Sequence, residues 1–218
     1  EITIMKKIYS ANITPFDEDG NVDKESVVRL IEFNLSHGID GFFFFGTMGE
    51  WAVLSEEMKC DLLKTATETI AGKVEVIVGI SSFGMNAIKE NIDKYKSYNA
   101  NSYAVQLPGG WAAPADPVRY MHEIADAADK PVYLYYLPTV NGISLSKDQF
   151  FNIFSHKNIK GVKNSSNSQR TLKELLLLKR KVDFSLFEGQ EWVADTSLAA
   201  GCDGALVGMA PLGGKLFK

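Results

Sequence analysis

Short runs of apolar, β-branched and aromatic residues recur along this chain at Tyr9–Ile13, Gly41–Phe45, Val74–Ile80, Ser102–Leu107, Val132–Tyr136, Ile159–Lys163, Asp183–Phe187 and Gly204–Val207. Their starts are mostly about 24 to 33 residues apart, the length of a strand, a helix and two short loops. That spacing is restrictive, because parallel strands can be joined only by a crossover long enough to hold a helix. The intervening segments read as helices. Between Glu56 and Ala71, Met58, Leu62, Ala66 and Ile70 recur four residues apart, with Glu56 and Glu57 in the first turn, where the helix dipole favours anions. Ser146-Lys147-Asp148-Gln149 has the form of a capping box, with Leu145 and Phe150 placed to staple it. Leu172 to Leu178 gives another apolar stripe, ending in Lys179-Arg180-Lys181, where cations suit a helix C-terminus.

Eight strands alternating with helices, and no glycine–serine linker between them, predict an α/β protein: one (β/α)8 TIM barrel over residues 1–218. A doubly wound open sheet is the runner-up, but no G-x-G-x-x-G or P-loop follows the first run. Only Gly208 to Lys218 follow the eighth, so the eighth helix is expected to be truncated and the chain incomplete. Glu1 to Ile4 read as an extension ahead of a native start at Met5. A net charge of −4, with no basic stripe, argues against a nucleic-acid partner. No apolar run approaches the roughly 18 residues that cross a bilayer; Ile39–Phe45 is interrupted by Asp40 and Gly41. Two distant cysteines, Cys60 and Cys202, and no signal sequence favour a reducing cytoplasm.

In a barrel of this kind, chemistry gathers at the carboxyl ends of the strands. His37, His122 and His156 fall in helices or at their ends, away from metal-ligand spacing, so no metal is expected. No G-x-S-x-G elbow is present. What remains is a lysine, a tyrosine and hydroxyls. In Ile159-Lys160-Gly161-Val162-Lys163, period-two alternation puts Ile159, Gly161 and Lys163 on one face. If Val162 packs against helices, Lys163 points into the barrel, where an ammonium without a partner is costly. In Val132–Tyr136 the same alternation points Tyr135 inward at the level of Lys163. A lysine attacks a carbonyl as its neutral amine, and Tyr135 is suited to act beside it as a neutral proton donor, with Thr47 relaying the proton. Gly46-Thr47-Met48-Gly49 permits close backbone approach, and its successive N–H groups can cradle a small carboxylate. An ordinary strand-to-helix turn would read the same way. Trp51 and Trp111 are either an apolar rim over the site or partly buried packing.

Taken together, Ile8-Tyr9-Ser10-Ala11-Asn12-Ile13-Thr14-Pro15-Phe16, Gly46-Thr47-Met48-Gly49-Glu50, Tyr135-Tyr136-Leu137-Pro138, Gly161-Val162-Lys163 and Gly201-Cys202-Asp203-Gly204 resemble the dihydrodipicolinate synthase / N-acetylneuraminate lyase family of pyruvate-dependent class I aldolases. The resemblance covers nearly the whole chain. It implies Lys163 as Schiff-base lysine, Tyr135 as general acid/base and Thr47 as relay, with no cofactor beyond the imine on Lys163. Substrate contacts are then expected from Gly46, Met48, Ser165, Gly189, Glu191 and Leu206. The implied partners are a 2-oxo acid and an aldehyde, and the implied assembly is a homotetramer, a dimer of dimers.

Departures from the family pattern bear on the substrate. Met48 replaces a second hydroxyl, and Val140 stands where the synthase branch places an arginine. Pro108-Gly109-Gly110-Trp111 lacks the tyrosine that the synthases lend across a subunit boundary. Gly189 and Glu191 match sugar contacts of the lyase branch in kind, whereas Trp192 and Gly208 replace an acid and a hydroxyl. The expected activity is therefore aldol cleavage or synthesis on a 2-oxo acid, with a 2-keto-3-deoxy sugar acid as one candidate. The alternatives are 4-hydroxy-tetrahydrodipicolinate synthase, N-acetylneuraminate lyase, a hydratase-aldolase, or a 2-oxo acid sensor without turnover.

Overall fold

A computed structural model describes residues 6–217; the proposed extension Glu1–Ile4 and start at Met5 lie outside them. Eight strands, β1 (Lys7–Ala11), β2 (Gly41–Phe44), β3 (Glu75–Gly79), β4 (Ser102–Gln106), β5 (Val132–Tyr136), β6 (Ile159–Asn164), β7 (Ser185–Glu188) and β8 (Gly204–Val207), pair in parallel in sequence order. Pairing of β8 with β1 closes the barrel. The crossover helices are α1 (Lys24–Ser36), α2 (Glu56–Ile70), α3 (Met85–Tyr95), α4 (Pro117–Ala127), α5 (Lys147–Phe154), α6 (Gln169–Leu178) and α7 (Ala194–Ala200). After β8 come a helical turn at Ala210–Gly213 and a 3-10 turn at Gly214–Phe217.

Local chemistry sets the helix starts. Asp23, Ser55, Asp116, Ser146 and Ser168 each accept a backbone N–H of the following turn, which satisfies donors that the helix itself leaves open. At Ser146 the expected capping box is complete, with Gln149 reaching back to the Ser146 N–H at 2.9 Å.

Strand alternation sorts the side chains into two cores. Outward residues such as Phe42, Phe44, Val76, Val78, Leu134 and Val162 pack against the helices. Inward residues, including Tyr9, Phe43, Ile77, Tyr135, Phe187 and Leu206, fill the barrel. The sequence pattern placed Ile159 inside with Gly161 and Lys163, but the structure puts Ile159 in the outer core. Its cause is a register shift between β5 and β6: Val132 pairs with Ile159 and Tyr133 with Gly161, so Lys160 has no opposite number. The extra residue resets the alternation, and Lys163, paired with Tyr135, still points inward.

Below Lys163 the barrel is plugged by aromatic rings seated over glycines. A Cβ on Gly41 would fall 2.1 Å from the Tyr9 ring, one on Gly161 2.6 Å from Tyr133, and one on Gly204 2.8 Å from Phe187. The three rings touch edge-on or tilted, with Phe187 centred 5.0 Å from Tyr9 and 6.1 Å from Tyr133. Tyr9 donates its hydroxyl to Glu75, which also takes Lys7 Nζ at 2.9 Å. Gly41→Ala is expected to cost about 1–3 kcal/mol by overpacking, read as a lower urea midpoint at unchanged slope.

Candidate active site

β2 delivers the first part of the site through a strained residue. Phe43 points inward and Phe44 outward, and Phe45 then takes φ 61°, a left-handed conformation unusual for an aromatic. Its carbonyl is accommodated because residue 79 is glycine; a Cβ there would sit 2.4 Å from the Phe45 oxygen. The turn that follows is held by Gly49 N–H donating to Gly46 O and Glu50 N–H to Thr47 O, each at 3.1 Å. From the loop after β1, Thr14 donates its hydroxyl to Gly49 O at 2.7 Å. The backbone N–H groups of Thr47 and Met48 are left with no acceptor among the described residues. A pair of adjacent, unclaimed N–H groups is a binding feature for a small carboxylate.

β5 and β6 supply the tyrosine and the lysine. Lys163 is 5% exposed, and its Nζ lies 4.3 Å from the centroid of the Tyr135 ring and 5.0 Å from that of Phe43. Among the described residues it has no ion pair and no hydrogen bond. Tyr135 and Phe43 meet in a T-shaped pair, at 5.8 Å and 89°, and the Tyr135 Oη lies 3.3 Å from Thr47 Oγ1. The ring faces partly offset the cost of holding a cation here, but they supply no counter-charge.

β7 and β8 close the other side. Gly189 is required by close packing, since a Cβ would be 2.1 Å from Ser165 Oγ and 3.1 Å from Lys163 Cε. Glu191 Oε1 accepts the N–H groups of Gly208 and Met209, the latter at 3.0 Å, and so ties the loop after β7 to the end of β8. Glu188, buried at the end of β7, accepts Gly189 and Gln190 N–H at 2.9 and 3.0 Å and the Ser197 hydroxyl at 2.8 Å. Burial is the main cause that raises its carboxyl above the usual range, and these hydrogen bonds only partly oppose it.

These elements enclose a cavity of about 260 Å³. Of the residues singled out from the sequence, Thr47, Met48, Tyr135, Lys163, Ser165, Gly189 and Glu191 line it. Gly46 and Leu206 do not: Gly46 packs on the Phe43 ring, and Leu206 sits in the barrel interior. The sequence does not point to Leu137 and Gln190 as walls, and it gives Val140, Trp192 and Gly208, which also line the cavity, only as departures from the family pattern. Trp51 and Trp111 are not walls; with Phe83 between them they form a surface row of rings at 6.2 Å spacings, Trp111 being 90% exposed. No group of His, Cys, Asp and Glu among the described residues is placed to hold a metal, and no helix among them is long and apolar enough to cross a membrane.

With the geometry in place, similarity to known proteins is informative. A family model described as the dihydrodipicolinate synthetase family matches residues 4–217. A 4-hydroxy-tetrahydrodipicolinate synthase of Xylella fastidiosa is 30% identical over 92% of this chain and 66% of its own length. Among solved structures, YagE of E. coli K12, a prophage protein of the dihydrodipicolinic acid synthase family crystallised with pyruvate, superposes with a TM-score of 0.89 at 25% identity. The match covers 99% of this chain and 74% of that one. CdNal from Clostridium difficile, solved with mannosamine, gives 0.90 at 23% identity, over 98% and 73% of the two chains, a likeness of fold. The chain thus spans about two thirds of the length of the curated relative it matches.

A carboxyl raised on folding keeps its proton longer in the native state. Its contribution to stability is therefore full below the ordinary carboxylate range and is lost as pH rises through the folded value. Glu188→Gln is expected to remove that decline, so its urea midpoint should change less than that of the parent from the ordinary carboxylate range upward. Parallel pH profiles for the two proteins would contradict the assignment.

Proposed function

The chain belongs to the dihydrodipicolinate synthetase family, and on that premise we propose that it is a class I aldolase that forms an imine between Lys163 and pyruvate or another 2-oxo acid. One observation carries this reading: a lysine amine 5% exposed, without a counter-ion, held against the ring of a tyrosine whose hydroxyl meets a threonine. Such a placement costs stability without giving any structural return, which is a mark of a functional group.

In the proposed cycle the neutral amine of Lys163 attacks the ketone carbon. The carbinolamine then loses water to give the imine. Tyr135 donates the proton that lets hydroxide leave as water, and Thr47 passes it between phenol and solvent. The substrate carboxylate rests on the free N–H groups of Thr47 and Met48. In the cleavage direction, Tyr135, having given up its proton, takes the proton of the C4 hydroxyl as the C3–C4 bond, one carbon beyond the imine carbon, breaks to give an aldehyde and an enamine. Protonation of the enamine and hydrolysis of the imine release the 2-oxo acid. In synthesis the enamine attacks the aldehyde instead. The reaction needs no cofactor beyond the lysine itself.

The cavity walls favour a hydroxylated acceptor over an acidic one. Lys163 is the only cationic side chain among the described walls, Val140 stands where the family resemblance places an arginine for a second carboxylate, and Glu191 contributes negative charge. A 2-keto-3-deoxy sugar acid fits this charge pattern better than an amino-acid semialdehyde does. Dihydrodipicolinate synthesis, sialic acid cleavage and hydratase-aldolase chemistry share the same imine and are the competing substrate assignments. We place the protein in the cytoplasm, as a tetramer assembled from dimers.

The proposal is tested by incubating the protein with pyruvate and a panel of aldehydes, and by assaying pyruvate release from 2-keto-3-deoxy sugar acids. Tyr135→Phe is expected to fold normally and to lower kcat by about 10²–10⁴, the usual reach of general acid–base catalysis. A full rate in Tyr135→Phe would remove the phenol from the mechanism.

A further inference from the structure

Met48 and Gly208 each stand where the family resemblance places a hydroxyl, the second in its lyase branch, and the two residues meet at one wall of the cavity around Lys163. β1 separates β2 from β8 in the barrel. The Met48 side chain, in the turn after β2, therefore reaches over the end of β1 to the residue that follows β8. A Cβ built on Gly208 would lie 2.9 Å from Met48 Cγ and 3.0 Å from its Sδ. Atoms do not approach so closely without movement, so a side chain at 208 would displace the thioether. The backbone gives no other reason for glycine there, because Gly208 is not among the residues with positive φ. Glycine and methionine are thus one feature: the first leaves the space that the second occupies.

That seat decides what this wall offers to a substrate. Both residues line the cavity, and Met48 is 43% exposed. Glu191 Oε1 lies 3.2 Å from the same Cβ position and already accepts the N–H groups of Gly208 and Met209. Neither Met48 nor Gly208 has a side-chain donor, and a thioether is only a weak acceptor. A substrate hydroxyl turned toward Met48 would lose water without a full replacement. An alkyl edge would instead gain contact with a polarisable, adaptable group. The Met48 N–H is one of the two unclaimed donors assigned to the substrate carboxylate, so the thioether stands on the residue that anchors the 2-oxo acid.

We propose that Met48 and Gly208 form a single specificity determinant, which selects a substrate whose edge toward the end of β8 is alkyl, whatever hydroxyls it carries elsewhere. The proposal rests on the aldolase reading and narrows its acceptor aldehyde. With pyruvate as the second substrate, Met48→Ala should raise KM for propanal about tenfold, the usual worth of an apolar contact, and KM for glyceraldehyde about twofold or less. Gly208→Ala should raise KM for propanal about threefold or more in the parent. In Met48→Ala, where the space is already empty, adding Gly208→Ala should have no further effect on that KM. Equal changes for the two aldehydes, or a Gly208→Ala effect that persists in Met48→Ala, would overturn the determinant.

Binding can be read without turnover. In a Lys163→Ala protein labelled with carbon-13 at its methionine methyls, the Met48 signal is assigned by its loss in Met48→Leu. Titration with 2-oxohexanoate, which pairs a carboxylate with an alkyl tail, should shift that signal saturably. Adding Gly208→Ala should raise the Kd about threefold or more. No saturable shift, or an unchanged Kd, would also overturn the determinant. If the parent condenses pyruvate with neither aldehyde, the aldolase reading fails, while this titration still decides the role of the pair.

Discussion

A lysine amine enclosed by a barrel, with ring faces on two sides and no carboxylate paired with it among the described residues, is the constraint around which the rest of this structure is arranged. Lys163 can sit there because Phe43 and Tyr135 present their π-faces to it. Those rings are held in turn by the floor beneath, where Tyr9, Tyr133 and Phe187 each lie over a glycine of a neighbouring strand. Rigid packing of that kind holds the side chain in one place without hydrogen bonds to its amine among the described residues.

Acidic residues near the mouth show how the barrel handles charge. Glu188 and Glu191 lie within a few residues of each other, and each takes two backbone N–H groups. Neither is paired with Lys163 in this structure. Their carboxylates serve as braces for the loops after β7 and β8, and the amine is left without a partner among the described residues. At the opposite wall, strain at Phe45 turns the chain so that the Thr47 and Met48 N–H groups stay unclaimed. Donors for a carboxylate and a free amine are thus arranged on different strands of one cavity.

Much of this was legible in the residues. Strand spacing and helix caps led directly to eight alternating units, and two strands, β5 and β8, begin and end where the apolar runs do. The inward direction of Tyr135 followed from period-two alternation alone. Ile159 shows the limit of that logic: one unpaired residue, Lys160, reverses the faces before it, and nothing in the local sequence announces the shift. The positive φ of Phe45 was equally hidden, because it depends on the missing Cβ of Gly79 on the next strand. Leu137, Gln190 and Trp192 became walls only when loops from different strands met, a tertiary fact that spacing does not carry. The resemblance to a known family supplied roles for Lys163, Tyr135 and Thr47; the structure supplied their neighbours.

The central claim is that Lys163 condenses with a 2-oxo acid, and borohydride reduction in the presence of pyruvate tests it most directly. One reduced pyruvate adduct per chain, mapped by mass spectrometry to the peptide containing Lys163 and lost in Lys163→Ala, is the expected result. A folded protein that gains no adduct, or gains it on another lysine, would contradict the claim.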